Sequence, residues 1–176
     1  MKFNYISQFK MPRYNQLPGI DLYIDQVLVY IEAIFAPLEI SGDEKPLTTS
    51  MINNYVKKGI VPPTVKKKYS KVHIAYLFIV YISKQIFTID EIGRMIRIQN
   101  SCFDIETAYN YVCDELESIL YSTFNEIPLA EDSSKTNAQQ RYFVRNTVIA
   151  FSNKLYTQKL MEVYDTLLPQ GENEIL

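Results

Sequence analysis

Ser50, Asn53 and Asn54 stand within TTSMINNYVKK, a segment of helical spacing. An asparagine amide can donate to N7 and accept from the N6 amino group of adenine in one bidentate contact, so a short helix carrying Asn53 and Asn54 has the chemistry to read base edges, with Ser50 as a weaker reader. A helix advances about 100° per residue. On that wheel Ser50, Asn53, Asn54, Lys57 and Lys58 share one arc, while Ile52 and Val56 take the other, with Tyr55 at its edge. Downstream, PPTVKKKYSK adds Lys66, Lys67, Lys68 and Lys71. Ammonium groups beside such a helix neutralise phosphates and fix its register without carrying sequence information. Tyr55 and Tyr69 pack helix and turn together, and the Tyr69 hydroxyl is expected to reach a phosphate.

Charge is distributed unevenly. The whole chain has net charge −2. From Lys45 to Ile89 there are eight lysines and neither Asp nor Glu, which leaves 10 basic and 20 acidic residues elsewhere. A solvated face mixes both signs, so an acid-free block of this length points to a polyanionic partner.

Other chemistries lack their parts. His73 is the single histidine and adjoins an apolar run, so it is expected to be a packed structural residue. Asp21 with Asp25 and Asp114 with Glu117 have the spacing of ordinary surface pairs on helices. There is no Gly-rich phosphate loop, GxSxG or HExxH. Cys102 and Cys113 match no metal spacing and are expected to be reduced and buried. An enzyme is therefore not expected, nor a metal or cofactor. The longest apolar run, Ile74 to Ile82, covers nine residues, against about 20 for a bilayer helix. A buried core helix and a cytoplasmic protein with no membrane partner are the expectation.

The elements that must position these residues are helical throughout, with at most a tiny β wing. Residues 1–19 form a basic-aromatic arm, either disordered or touching a minor groove. Asp21 is expected to cap a helix reaching about Phe35, followed by a polar loop over 37–47. Thr48 caps the helix from Thr49 to Lys58, which Gly59 and Pro62-Pro63 stop. Ser70 caps a helix from Lys71 to about Gln85, and Thr88-Ile89-Asp90-Glu91 opens another as a capping box. An apolar stripe runs from Asp104 to Tyr121. A linker over 125–136 leads to a last helix, about Asn137 to Leu168, with Phe143, Val144, Val148, Phe151, Leu155, Leu160, Tyr164 and Leu167 on its apolar side. The division expected is an arm (1–19), a helix-turn-helix domain (20–100), a C-terminal helical region that pairs subunits (101–168) and a tail (169–176).

LTTSMINNYVKKGIVPP resembles the MerR-type segment, in which a short recognition helix ends in a Gly-apolar-apolar-Pro turn. KKKYSKVHIAYLFIVYISKQIFTIDEIGRMI is similar to the MerR pattern of a basic wing ending in Tyr-Ser, a helix and a short helix of the S/T-I-x-E-I type. The stretch from LPGIDLYIDQV to TIDEIG resembles more closely an uncharacterised bacterial domain family with a MerR-like core. Asn53-Asn54-Tyr55 stands where MerR-type helices carry Arg-Tyr-Tyr, and the wing is shorter. The resemblance implies a DNA-binding transcription regulator acting as a homodimer on double-stranded DNA, its effector unspecified. The alternative is a protein-interaction module on a helix-turn-helix fold that no longer binds DNA.

Overall fold

A computed structural model describes residues 3–38, 40, 47–133 and 141–167. Among them the chain forms seven α-helices: α1 (Asn4–Ser7), α2 (Ile24–Phe35), α3 (Thr49–Lys57), α4 (Lys71–Ser83), α5 (Ile89–Asn100), α6 (Ile105–Phe124) and α7 (Arg141–Leu167). No strand occurs among the described residues, only two isolated bridges, Leu22 with Tyr69 and Val65 with Lys68. The fold is all-α, as the helical spacing implies.

The architecture is organised around α4. Its sequence, KVHIAYLFIVYIS, has no polar face, and every residue from His73 to Ser83 is buried. Such a helix has to be covered on all sides, and α6 and α7 pack against it. On the α2 side the cover is aromatic. Phe35 stacks on Tyr81 with ring centroids 4.0 Å apart and lies 5.3 Å from Phe78, while Phe9 adds a further stacked ring 6.0 Å from Phe35. Each fully buried ring or branched aliphatic side chain here contributes about 1.5–3 kcal/mol.

Local signals set most helix starts. The Thr48 hydroxyl accepts from the Met51 N–H at 3.2 Å. Thr88 and Glu91 bond reciprocally, the Glu91 carboxylate accepting from the Thr88 N–H at 2.8 Å. Asp104 accepts from the Thr107 N–H at 2.9 Å and starts α6. The first long helix departs from expectation. Tyr23, not Asp21, occupies its cap position, and the Tyr23 N–H donates to the Gln26 side chain at 2.9 Å. Asp21 is excluded because the next residue, Leu22, is already paired with Tyr69.

The expected disordered arm is not found in the part described. Ile6, Phe9, Met11 and Leu17 are all buried. The segment is stitched to α6 by polar contacts. Glu117 accepts from Lys10 at 2.9 Å, from the Met11 N–H at 3.1 Å and from Arg13 at 2.7 Å. The Tyr109 hydroxyl donates to the Pro12 carbonyl and the Tyr14 N–H to Asn110, both at 2.9 Å. Asp114 and Glu117 are thus the anchor of the N-terminal segment rather than an idle surface pair; Asp114 pairs with Arg13 at 2.9 Å.

The C-terminal helices hold a second polar lock. Glu115 is fully buried on α6. Its carboxylate is ion-paired with Arg145 of α7 and accepts from the Ser133 N–H at 2.9 Å and hydroxyl at 2.6 Å. Arg141 pairs with Asp132 at 3.1 Å. The described part of the expected linker, 125–133, is therefore tied down by hydrogen bonds at its end. Residues 134–140 and 168–176, where the linker's remainder, the start of the last helix and the tail were expected, lie outside the described residues. Of the apolar positions expected on the last helix, Val144, Val148, Phe151 and Leu155 are core, but Phe143, Tyr164 and Leu167 are exposed. Cys113 is buried as expected, and burial pushes its thiol up to about 12. Cys102 is exposed, contrary to expectation, because it follows the last turn of α5 rather than a packed face.

Candidate nucleic-acid interface

The two faces of α3 separate as the spacing requires. Ile52 and Tyr55 are buried, Val56 is half-buried, and Ser50, Asn53, Asn54, Lys57 and Lys58 are exposed. The helix stops at Gly59, whose φ of 69° is a left-handed value that a Cβ disfavours. The Gly59 N–H donates to the Val56 carbonyl at 3.0 Å and the Ile60 N–H to that of Tyr55 at 2.9 Å, so the last carbonyls are satisfied. Ile60 and Val61 then plug into the core. Ile60 lies over Gly93 of α5, where an added Cβ would meet it at 3.4 Å. This plug fixes α3 relative to the chain that follows.

That chain is the lysine turn. Lys66 and Lys67 both adopt left-handed φ values, 51° and 59°, and the Lys68 N–H closes the turn on the Val65 carbonyl at 3.0 Å. Two central residues at positive φ mark the tight hairpin turn normally made by Asn-Gly. Lysine at such positions costs about 1–2 kcal/mol each, so the turn has to be held from outside. Both its flanks are held. His73 Nδ1 accepts from the Ser70 N–H at 3.1 Å, which leaves Nε2 as the protonated nitrogen that donates to the Pro63 carbonyl at 3.2 Å. Beyond the turn, Leu22 and Tyr69 exchange both backbone hydrogen bonds. The histidine is structural, as expected, and its task is to staple the proline pair to the start of α4.

The expected phosphate contacts fall into four groups. Lys57, Lys66 and Lys67 are exposed. Lys68 and Lys71 lie over tyrosine rings, Lys68 5.2 Å from the centre of Tyr23 and Lys71 5.4 Å from that of Tyr14. These rings restrict the ammonium groups without neutralising them. Lys58 is engaged by Asp90 at 2.7 Å. The block is acid-free in sequence, yet the first turn of α5 supplies an acid to it in space. Tyr69 is 4% exposed and edge-on to His73. It belongs to the core, and the expectation that its hydroxyl reaches a phosphate is corrected on that ground; burial also pushes the Tyr69 hydroxyl above its ordinary pKa.

Sequence reasoning missed Tyr14, Tyr23 and Asp90 in this surface. The tyrosines come from the segment read as an arm and from the residue before α2. Asp90 signals only a helix start in sequence, since an acid in a first turn suits the helix dipole without any partner.

No curated protein and no solved structure matches the chain. The profile of a family described as "Domain of unknown function (DUF1836)" matches residues 12–112, from within the N-terminal segment stitched to α6 into α6 itself. That is more than half of the 176 residues, and the chain belongs to the DUF1836 family.

Proposed function

We propose that this protein is a DNA-binding transcription regulator of the cytoplasm whose helix-turn-helix unit is MerR-like and whose subunits work in pairs. In this reading α3 enters the major groove of duplex DNA, with Asn53 and Asn54 toward base edges and Ser50 beside them. Lys57, Lys66 and Lys67 neutralise phosphates, supported by Lys68 and Lys71 and by Lys58 when it leaves Asp90. The observation that carries the reading is the pairing of an exposed amide-and-lysine face on α3 with a rigidly stapled lysine turn, joined through the buried plug of Ile60 and Val61. A helix held this way presents its polar face at little entropic cost on binding.

A gel-shift titration over a range of salt concentrations tests it. Replacing Lys66, Lys67 and Lys68 with alanine weakens binding to every duplex and lowers the log–log salt slope by about 0.9 for each phosphate no longer neutralised. Replacing Asn53 or Asn54 with alanine instead relaxes sequence preference, at about 1–3 kcal/mol for a bidentate pair. If neither variant differs from the wild type, the assignment fails. A protein-interaction module on the same fold is the second reading, favoured by one observation: Lys58 is engaged by Asp90 within the protein itself. Partners that persist in a pull-down after nuclease treatment would support it.

A further inference from the structure

The longest helix turns two unlike faces outward and inward. Val144, Thr147, Val148, Phe151 and Leu155 of α7 are buried. On the opposite side a second stripe starts at Phe143 and recurs at alternating intervals of three and four residues, through Asn153, to Leu160, Tyr164 and Leu167. All of its positions are exposed or half-exposed. Its large side chains sit at the two ends; Phe143 is 47%, Tyr164 62% and Leu167 69% exposed. Asn146, Ala150, Asn153 and Thr157 fill the middle. Alternating three-and-four spacing is the seam of a helix pair, and among the described residues of one chain this seam has nothing opposite it.

At the Phe143 end the stripe borders a groove of about 630 Å³ between α5 and α7. Phe87, Met95 and Ile98 line it with Tyr142 and Phe143, and Arg94 stands at its edge. One charge of each sign lines the groove as well, Glu91 and Arg94. The Glu91 carboxylate accepts from the N–H and hydroxyl of Thr88 at the start of α5, which leaves Arg94 as the charge that can meet a partner. Residues 160–167 of α7, LMEVYDTL, carry two acids and no base. Glu162 is held by Lys159 of its own helix, which leaves Asp165 as the acid facing outward.

From this we infer that α7 pairs antiparallel with α7 of a second copy, each helix end seating Met161 and Tyr164 in the partner's groove. The two-fold axis passes near Asn153, which sets Tyr142 opposite the partner's Tyr164 and Arg94 beside the partner's Asp165. The stripe itself matches a second copy in either direction, but the groove lies only at the Phe143 end, and Tyr164 of one copy reaches the groove of the other only when one copy is reversed. The same chain cannot fill its own groove, because Tyr164 lies 21 residues from Phe143 along one helix, about 30 Å. Two-fold symmetry makes every contact occur twice. The inference rests on the paired-subunit part of the proposed function and specifies where the pairing occurs.

Sedimentation of the full chain at about ten micromolar tests it, together with cysteine crosslinking on a Cys102→Ser background. The expected result is a dimer mass for the wild type and a monomer mass for Tyr164→Glu. Arg94→Glu weakens the dimer about tenfold, and adding Asp165→Arg restores it. Asn153→Cys crosslinks to itself across the axis, whereas Asn146→Cys, about 20 Å from its own copy in this arrangement, does not. A monomeric wild type, a dimer unaffected by Tyr164→Glu, or equal crosslinking at both positions overturns the inference. None of these measurements involves DNA, so they fail or succeed independently of the gel-shift result.

Discussion

Leu22 and Tyr69 exchange both of their backbone hydrogen bonds, N–H to O distances being 2.9 Å and 2.8 Å. This two-way bond ties the end of the lysine turn to the residues just before α2. It explains how Lys66 and Lys67 hold left-handed backbone angles with no glycine or asparagine between Pro63 and Ser70. Strain that local sequence does not favour persists where the surroundings over-determine it.

The turn therefore allows fold and charge to be separated. Lys66→Asn with Lys67→Gly supplies the residues that the geometry prefers. The double variant is expected to unfold at higher urea, with a gain of about 1 kcal/mol. Its affinity for duplex DNA is expected to fall at the same time, and its salt slope to drop by about 0.9 per lysine removed. A more stable protein that binds DNA as before would remove these two lysines from the interface.

Lys58 and Asp90 make the opposite kind of test. Their 2.7 Å ion pair is exposed on both sides, so it is weak and easily exchanged for a phosphate. The Lys58 hydrogen bond and charge hold the Asp90 carboxyl below the usual range, which marks the lysine as already engaged. Asp90→Asn releases it. The expected outcome is tighter binding to duplex DNA, since Lys58 no longer has to leave Asp90 before it meets a phosphate. An unchanged affinity places Lys58 away from the duplex.

Most of the helical framework was legible because its signals are local. Thr48, Thr88 and Asp104 each cap within three residues, and α4 announces its burial by having no polar face. The exposed face of α3 was legible for the same reason, since helical periodicity alone separates Asn53 and Asn54 from Ile52. What could not be read depends on partners far away in sequence. Arg13 and Glu117 are 104 residues apart, and nothing near Arg13 indicates that it is ordered. Lys58 meets Asp90 across 32 residues, and the backbone of Tyr69 pairs with that of Leu22, almost fifty positions earlier. The start of α2 shifted by two residues because Leu22 was committed to the lysine turn, a tertiary demand overriding a plausible cap.

The Arg13–Glu117 contact yields a prediction about acid. Burial alone would raise the Glu117 carboxyl, but hydrogen bonds from Lys10, Arg13 and the Met11 N–H outweigh it, and the pKa is lowered in the folded protein. A carboxyl whose folded pKa lies below its unfolded value adds stability that is complete above the unfolded value and is lost as pH falls through the folded one. Stability measured by urea unfolding is therefore expected to hold near neutrality and to decline as pH drops below the ordinary carboxyl range. Glu117→Gln removes the charge at every pH. At pH 7 it is expected to cost about 1.5–3 kcal/mol, the range for a hydrogen bond to a charged group. The gap between the two proteins narrows on acidification, because the wild-type carboxyl then becomes neutral as well. Since Glu117 holds Lys10, Met11 and Arg13 at once, the N-terminal segment is the part that loosens, and Tyr14 is released from Asn110 with it. Parallel stability curves for the two proteins from pH 7 to pH 3 would mean that this carboxylate does not anchor the segment.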